Sequence, residues 1–303
     1  MNNIKTIYVI PICGFGNRLK FLSTTYSICL EYNINMKILW RKTEECNISY
    51  KDIFKEIQKD NVEFVDNPPK EDYVYFGHKH LNKVIGAVLQ PDCKKYTNLI
   101  ITGGHEYKLP VFSVNEFIDI KSDFYNSIIW NNDIQERVND IKSKHNLDKY
   151  VGVHFRGLDL KYDAPDLKNS SNINFDLNSP LENFKSHIKN IKPGLKILLF
   201  TNKNISLENT IKISEKTCNR NQKDDMLSSI IEFILLTQSK LIIGSYYSSF
   251  SDEASFFNKI PKIIPYNLKE KLIVNRYHCY GLSLNKLLAL NNNWTIINEC
   301  LID

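Results

Sequence analysis

The sequence predicts an α/β protein with parallel sheets, and three observations lead to this class. Short apolar runs rich in β-branched and aromatic residues alternate with stretches in which apolar residues recur at helical spacing. Several of these runs stop abruptly at glycine or polar residues, which is typical of buried parallel strands. The pattern recurs in both halves of the 303-residue chain. We therefore expect two Rossmann-like domains, at residues 1–145 and 146–303.

The first half opens with a strand, a glycine loop and a helix. Residues 6–12 predict a buried strand, and Cys13-Gly-Phe-Gly-Asn-Arg18 follows at once. Apolar residues at positions 19, 22, 26 and 29 then predict a helix. Such a turn brings backbone N–H groups close to an anionic ligand. The other elements predicted here are strands at 36–40, 62–65, 73–76 and 98–102 and helices at 49–57, 114–128 and 134–141.

The glycine loop leaves a dinucleotide-binding interpretation open, although the fingerprint is incomplete. Leu19 stands where the third glycine is needed, and the second strand is followed by Arg41 rather than by an acid that would bind the ribose. Because an arginine can accept a 2′-phosphate, an NADP-dependent oxidoreductase is an alternative.

The second half contains the polar strand end on which the functional prediction depends. The predicted strands are 150–154, 195–200 and 240–243, and the predicted helices are 181–191, 225–238 and 252–257. The first of these strands ends at His154, and Arg156 and Asp159 follow it closely. A guanidinium is permanently charged, holds two oxygen atoms at once and favours a departing diphosphate. Arg156 is therefore a candidate phosphate ligand at the carboxyl end of the sheet.

Two further features allow two interpretations each. Ser249 and Asp252 fit a capping box, so the serines after the last strand could cap a helix, bind an anion, or do both. Glu232 lies in an apolar helical stretch, either on a solvated face or as a carboxylate that accepts the two adjacent N–H donors of guanine.

Composition narrows the function classes. The net charge of +5 is scattered rather than gathered into a basic run, which argues against nucleic acid as a partner. The seven cysteines contain no C-x-x-C pair, so neither a disulfide framework nor a zinc site is indicated. The first apolar run is too short for a signal sequence or a membrane span. We expect a cytoplasmic protein.

Taken in order, the motifs resemble the fucosyltransferase superfamily, which includes α1,2-, α1,6- and protein O-fucosyltransferases and nodulation-type relatives. The resemblance is carried by Gly14-Phe-Gly-Asn-Arg18, His154-Phe-Arg-Gly-Leu-Asp159, Glu232 and Gly244-Ser-Tyr-Tyr-Ser-Ser-Phe-Ser251. It implies a GT-B-like fold, in which two Rossmann-like domains face each other across a cleft. It also implies an inverting, metal-independent glycosyltransferase that moves fucose from GDP-fucose to a glycan hydroxyl, with the acceptor on the side of the first domain.

The resemblance also implies roles for individual residues. Arg156 matches the arginine that binds the β-phosphate, and His154 matches the histidine beside the nucleotide. Asp159 is expected to hold Arg156, and Asp163 or Asp166 is a candidate base for the acceptor hydroxyl. The expected donor-binding set is Gly14, Gly16, Asn17, Arg18, His154, Arg156, Glu232, Ser249, Phe250 and Ser251.

The expected reaction needs no cofactor. The chain contains no D-x-D tripeptide, so arginine, helix dipole and hydroxyl groups are expected to stabilise the diphosphate in place of a metal ion. The alternatives are a transferase for another GDP-sugar or deoxysugar donor, and a non-catalytic protein that binds nucleotide or glycan with a GT-B shell.

Overall fold

The protein is described by a computed structural model that covers residues 4–77, 96–106, 109, 111–159, 178–214 and 219–265. The chain divides into two compact units. The first contains Met1–Asn132 together with Arg220–Lys223, and the second contains Asp133–Asn219 and Asp224–Asp303.

The first unit is built on a parallel sheet. Its elements in chain order are β1 (Thr6–Pro11), α1 (Phe15–Tyr32), β2 (Asn35–Ile38), α2 (Tyr50–Ile53), β3 (Phe54–Ile57), β4 (Val62–Phe64), β5 (Tyr73–Phe76), β6 (Asn98–Gly103), α3 (Val114–Asn126) and β7 (Ile128–Trp130). The sheet has the order β4-β2-β1-β6-β5, and neighbouring strands are parallel throughout. In both β1 and β6 four of the six residues are buried and most are apolar, as expected of central parallel strands.

Local signals explain where the helices of this unit begin and end. The α1 helix ends at Asn33, which adopts a left-handed conformation with φ of 51° and donates its N–H to carbonyl groups of the last turn. A capping box of Ser113 and Glu116 begins α3. The two helices pack through Tyr26 and Phe124, whose ring centroids are 5.1 Å apart.

Residues 54–57 form a strand, and the predicted helix over 49–57 is wrong in this part. The β3 strand pairs antiparallel with β7. Phe54 stacks on Trp130 with 5.7 Å between ring centroids and on Phe64 with 5.4 Å. These contacts lie outside the 49–57 segment, and the one with Trp130 comes from far away in the sequence, so they outweigh local helical periodicity.

The second unit repeats the parallel design. Its elements are α4 (Asn132–His145), β8 (Tyr150–Phe155), α5 (Leu181–Lys189), β9 (Lys196–Thr201), β10 (Ile211–Lys212), α6 (Lys223–Thr237), β11 (Leu241–Gly244), α7 (Ser249–Phe257) and β12 (Lys262–Ile263). The order β10-β9-β8-β11-β12 is parallel throughout. This is the Rossmann order, in which ligands bind at the carboxyl ends of the strands beside the point where the order reverses. Here that point is between β8 and β11.

The two units meet in sequence at residues 132 and 133, whereas the predicted boundary lay near residue 145. The difference is the α4 helix. Lys142 of α4 donates to the Gln238 side chain over 3.1 Å, and the ammonium of Lys196 donates to the carbonyl of His145 at the end of α4. The helix therefore belongs to the unit that follows it.

Across the described ranges, no helix combines the length and the apolar character needed to cross a bilayer.

Candidate active site

The carboxyl end of β8 is tied to the carboxyl end of β11 by two hydrogen bonds. Ser245 donates its backbone N–H to the carbonyl oxygen of His154 over 3.0 Å, and its hydroxyl accepts the backbone N–H of Arg156 over 2.9 Å. The register of the two strands places Gly244 opposite His154. The backbone of Arg156 is therefore held at the edge of the sheet, and its side chain is half-buried.

His154 is a buried, neutral imidazole. Its ring stacks on Phe250, with centroids 4.9 Å apart and planes inclined by 27°. Its Nδ1 lies 3.5 Å from the Ser248 hydroxyl oxygen. Burial lowers the pKa of His154 well below the usual range, and the positive charges of Lys262 and Arg156 act in the same direction. The side chain therefore contributes a ring face and a hydrogen-bonding nitrogen, but no charge, to the strand end.

A buried ion pair lies next to Ser245, the residue that connects the ends of β8 and β11. The ammonium of Lys262, on β12, contacts the carboxylate of Asp252 on α7 and donates to the carbonyl of Ser245 over 3.4 Å. Gly244 makes the packing possible, because a Cβ at this position would lie 2.7 Å from both the Lys262 Cε and the Ser251 hydroxyl. No motif in the sequence singled out Lys262.

The α7 helix begins earlier than predicted, and this overturns the capping box of Ser249 and Asp252. The N-cap residue is Ser248, which makes no side-chain capping hydrogen bond, and Asp252 pairs with Lys262 instead. Ser249 and Phe250 therefore lie in the first helical turn and are partly exposed. Ser251 is fully buried and donates to the Ser248 carbonyl over 3.3 Å, so it positions the turn.

Glu232 lies on α6, in the same unit as His154 and Arg156. Its side chain is half-buried among apolar neighbours on the helix. Burial raises the pKa of Glu232 to about 8, although the charge of Lys212 acts in the opposite direction. The carboxyl group is thus mostly protonated at neutral pH in the free protein, a perturbation that is common in ligand-binding sites.

Of the three acids predicted after Arg156, the structure describes one. Asp159 is half-buried in the segment that follows β8, and its role in holding Arg156 stays a prediction. Asp163 and Asp166 lie outside the described residues, so a catalytic base at either position stays a prediction as well.

In the first unit, the glycine loop lies at the ends of two neighbouring strands. Ile12 donates its N–H to the Gly103 carbonyl over 2.9 Å, and a Cβ on Gly104 would lie 3.5 Å from the Cβ of Asn17. Gly14 is the N-cap of α1 and carries no side chain that could occupy the helix N-terminus. The loop therefore presents backbone groups at the point where the strand order reverses, between β1 and β6.

Arg18 holds this loop from inside, which differs from the predicted contact with the donor. Its side chain is fully buried. The guanidinium donates to the Cys13 carbonyl over 2.9 Å, to the Arg41 carbonyl over 2.7 Å and to the Thr43 hydroxyl over 2.8 Å. It also lies over the Trp40 ring, 4.8 Å from the centroid. Arg18 is accordingly a positioning residue for the loop.

One cation beside the loop comes from the other half of the sequence and was missed. A Cβ on Gly14 would lie 3.6 Å from a guanidinium nitrogen of Arg220. Asn47 anchors this residue, because its N–H donates to the Arg220 carbonyl over 3.1 Å. Only spatial proximity reveals this relationship, since more than two hundred residues separate Arg220 from Gly14.

The Cys13 thiol is not reactive, and the described residues hold no metal cluster. Burial raises the pKa of Cys13 to about 11, and Glu45 acts in the same direction, so the thiol stays protonated. The described residues contain no group of three or more His, Cys, Asp or Glu side chains placed to hold a metal ion. The predicted independence from metal stays a prediction.

No family model matches the chain, and no curated protein matches it by sequence. Several solved fucosyltransferase structures, however, share its fold. NodZ α1,6-fucosyltransferase co-crystallised with GDP matches 86% of this chain and 94% of its own, with a TM-score of 0.58 at 13% identity. The fucosyltransferase NodZ from Bradyrhizobium matches 86% of this chain and 95% of its own, with a TM-score of 0.57 at 13% identity.

Two other fucosyltransferases give similar values. POFUT1 in complex with GDP matches 87% of this chain and 99% of its own, with a TM-score of 0.57 at 12% identity. A mutant of FUT1 from Arabidopsis thaliana in complex with GDP matches 86% of this chain and 70% of its own, with a TM-score of 0.56 at 11% identity. The likeness extends over both units, and the predicted α/β, GT-B-like fold class is confirmed.

Proposed function

We propose that this chain is a fucosyltransferase that transfers fucose from GDP-fucose to a glycan hydroxyl, with inversion and without a metal ion. The observation that carries the proposal is the β8 end of the second unit, where Arg156 follows a neutral His154 and is held by Ser245. The shared fold supports it, since solved structures with this fold contain GDP or were soaked with GDP-fucose.

The donor is expected to bind the second unit through four kinds of contact. Arg156 binds the β-phosphate, because its fixed planar charge matches two phosphate oxygens. Glu232 binds guanine, since an ionised carboxylate accepts both N1–H and the exocyclic amine. His154 and Phe250 offer ring faces beside the nucleotide, and Ser249 offers a partly exposed hydroxyl at the start of α7.

The reaction is a single displacement at the anomeric carbon. The acceptor oxygen forms a bond to this carbon as the bond to the β-phosphate oxygen breaks, and GDP departs with the electron pair. The acceptor proton passes to a base, for which Asp163 and Asp166 remain the candidates. Arg156 stabilises the charge that grows on the departing diphosphate, so its contribution is larger in the transition state than in the bound donor.

The first unit is proposed to bind the acceptor, and its glycine loop is proposed to take part in donor binding. Gly14, Gly16 and Asn17 supply the loop, whose backbone groups lie at the N-terminus of α1. Arg18 holds the loop from within rather than by touching the donor.

The experiment compares Arg156→Ala with the matched variant Arg137→Ala, whose arginine is exposed on α4 of the same unit. With GDP-fucose and a panel of glycan acceptors, we expect Arg156→Ala to lower kcat by about 100-fold or more. Arg137→Ala should keep normal kcat, and circular dichroism should show both variants folded. Near-normal transfer by Arg156→Ala would contradict the role of this arginine.

Transfer from other donors and binding of GDP or NADP distinguish the alternatives. Transfer from another GDP-sugar, tested beside UDP- and dTDP-sugars, would overturn fucose as the donor sugar. Binding of GDP without transfer to any acceptor would favour a non-catalytic nucleotide-binding protein. Binding of NADP, with indifference to Arg156→Ala, would favour the oxidoreductase.

A further inference from the structure

The segment that follows β8 is held from the side by two residues at the end of β9. Asn202 accepts the N–H of Gly157 over 2.9 Å and donates its own amide to the Gly157 carbonyl over 2.9 Å. Lys203 donates its ammonium to the Leu158 carbonyl over 2.6 Å. The residues that follow β9 therefore hold Gly157 and Leu158 from one side, and Ser245 holds the backbone of Arg156 from the other side.

Lys203 lies directly across Gly157, and only a glycine permits this. A Cβ on Gly157 would lie 2.2 Å from the Lys203 Cε, 2.8 Å from its Cγ and 3.0 Å from its Cδ. The lysine side chain thus occupies the space that any side chain next to Arg156 would take. The positive charge of Lys203 therefore lies at the carboxyl end of β8, although the residue itself follows β9.

Within the described residues the half-buried ammonium of Lys203 has no carboxylate partner, unlike the buried ammonium groups of Lys121 and Lys262. Lys121 is paired with Glu106, and Lys262 is paired with Asp252. Lys203 is half-buried, and within the described residues its hydrogen-bonding contact is one neutral carbonyl. An ammonium has three donors, and the described residues use one of them. A partly desolvated cation without an acid gains most from an anion that arrives with the ligand.

We propose that Lys203 is a second cationic ligand of the donor diphosphate and acts beside Arg156. The inference rests on the proposed function. Leu158 fixes the direction of the ammonium, Gly157 gives it room, and the diphosphate supplies the missing negative charge. Two cations on one diphosphate share the charge that develops when the sugar leaves.

Three substitutions test the assignment by calorimetric titration with GDP and with guanosine, which lacks the diphosphate. Lys203→Gln keeps a donor for the Leu158 carbonyl but removes the charge. We expect it to weaken GDP binding by about tenfold or more, as loss of a charged hydrogen bond does, and to leave guanosine binding unchanged. Lys240→Gln is the matched control, because Lys240 is exposed at the opposite, amino end of β11 and should bind GDP normally.

Gly157→Ala supplies an independent arm. The methyl group forces the flexible Lys203 side chain away from its position, so GDP binding should weaken by about tenfold, as on losing the charged contact itself. In the Lys203→Gln background the same change should have little further effect, because the two changes remove one interaction.

The outcomes separate this inference from the proposed function. Normal GDP binding by Lys203→Gln, or equal losses of GDP and guanosine binding, would overturn the assignment and leave a structural role in holding Leu158. If the unmodified chain binds no GDP, the proposed function fails and the assignment fails with it. A selective loss of GDP binding in both Lys203→Gln and Gly157→Ala supports it.

Discussion

His154 and Phe250 stack face to face, with 4.9 Å between their ring centroids and 27° between their planes. His154 lies near the carboxyl end of β8, the central strand of the second sheet, and Phe250 lies in the first turn of α7. The contact joins the phosphate-binding strand end to the serine segment. It holds both at the carboxyl edge of the sheet, where polar ligands of α/β proteins bind.

We predict that His154 makes the protein sensitive to mild acid. Its pKa is lowered when folded, so below about pH 6.5, the usual histidine pKa, the unfolded chain binds a proton that the folded chain does not. The free energy of unfolding should therefore fall as the pH drops from 6.5 to 5, by about 1.4 kcal/mol per pH unit for one such group. His154→Phe keeps the stacking partner and should remove this part of the slope.

Urea titrations between pH 5 and 7.5 measure the effect. Burial also lowers the pKa of His187, so some slope should persist in the variant. An unchanged slope in His154→Phe would show that the imidazole is accessible to protons in the folded protein.

We predict that Arg18 is essential for the stability of the first unit. Arg18→Met fills most of the same volume but leaves the Cys13 and Arg41 carbonyls and the Thr43 hydroxyl without their donor. Loss of these charged hydrogen bonds should lower the free energy of unfolding by about 3–5 kcal/mol. Tryptophan fluorescence during urea unfolding reports on this region, because the guanidinium lies over Trp40.

Arg41→Met is the matched control, since the Arg41 side chain is exposed and its carbonyl is retained. It should change the free energy of unfolding by no more than about 0.5 kcal/mol. Equal effects of the two substitutions would contradict the positioning role of Arg18.

Periodicity predicted the two parallel sheets because buried strands and amphipathic helices carry their environment in their own residues. The glycine loop at residue 14, the strand end at Arg156 and the helix that contains Glu232 were placed correctly on their elements for the same reason. The β3 strand was mistaken for helix because Trp130 and the pairing strand β7, which stabilise it, are remote in sequence.

The direction of a side chain was harder to predict than the element that carries it. Arg18 follows a glycine loop, as a phosphate ligand could, yet two of its three acceptors lie after β2 and hold the guanidinium inside the unit. Lys203 carried no motif, because its position depends on Gly157, which follows the neighbouring strand β8 and leaves room for the lysine side chain. Asp252 matched a capping pattern, but the stronger interaction with a buried ammonium takes its carboxylate.

We predict that Gly244→Ala disturbs the serine segment. A methyl group there would lie 2.9 Å from the Ser251 Cβ and 2.7 Å from the Lys262 Cε, and neither neighbour can move freely because both are buried. Thermal unfolding should show a loss of about 1–3 kcal/mol, as for other overpacked sites. Gly14→Ala is the comparison for stability, since its nearest contact would be an ordinary 3.6 Å. A harmless Gly244→Ala would mean that the first turn of α7 shifts easily.

We predict that GDP binding is coupled to ionisation of Glu232. Burial raises the pKa of this carboxyl group to about 8 in the free protein, whereas guanine presents donors that require the ionised form. Below pH 8 the group must lose its proton when GDP binds. The affinity for GDP should therefore rise by about tenfold per pH unit toward pH 8 and then level off. Calorimetric titrations at pH 7, 7.5, 8 and 8.5 measure this rise, and buffers of different ionisation enthalpy reveal the released proton.

Glu232→Gln provides the decisive comparison, because the titration of GDP itself is the same for both proteins. The variant should bind GDP more weakly at pH 8 and show no proton release from this position. It should also be more stable than the unmodified protein at pH 8.5. A carboxyl group with a raised pKa costs stability as the pH rises from 4.5 to 8, since over that range the unfolded chain binds fewer protons than the folded one. If Glu232→Gln is stabilised but retains the pH dependence of GDP affinity, Glu232 is a buried acid of the helix and guanine is bound elsewhere.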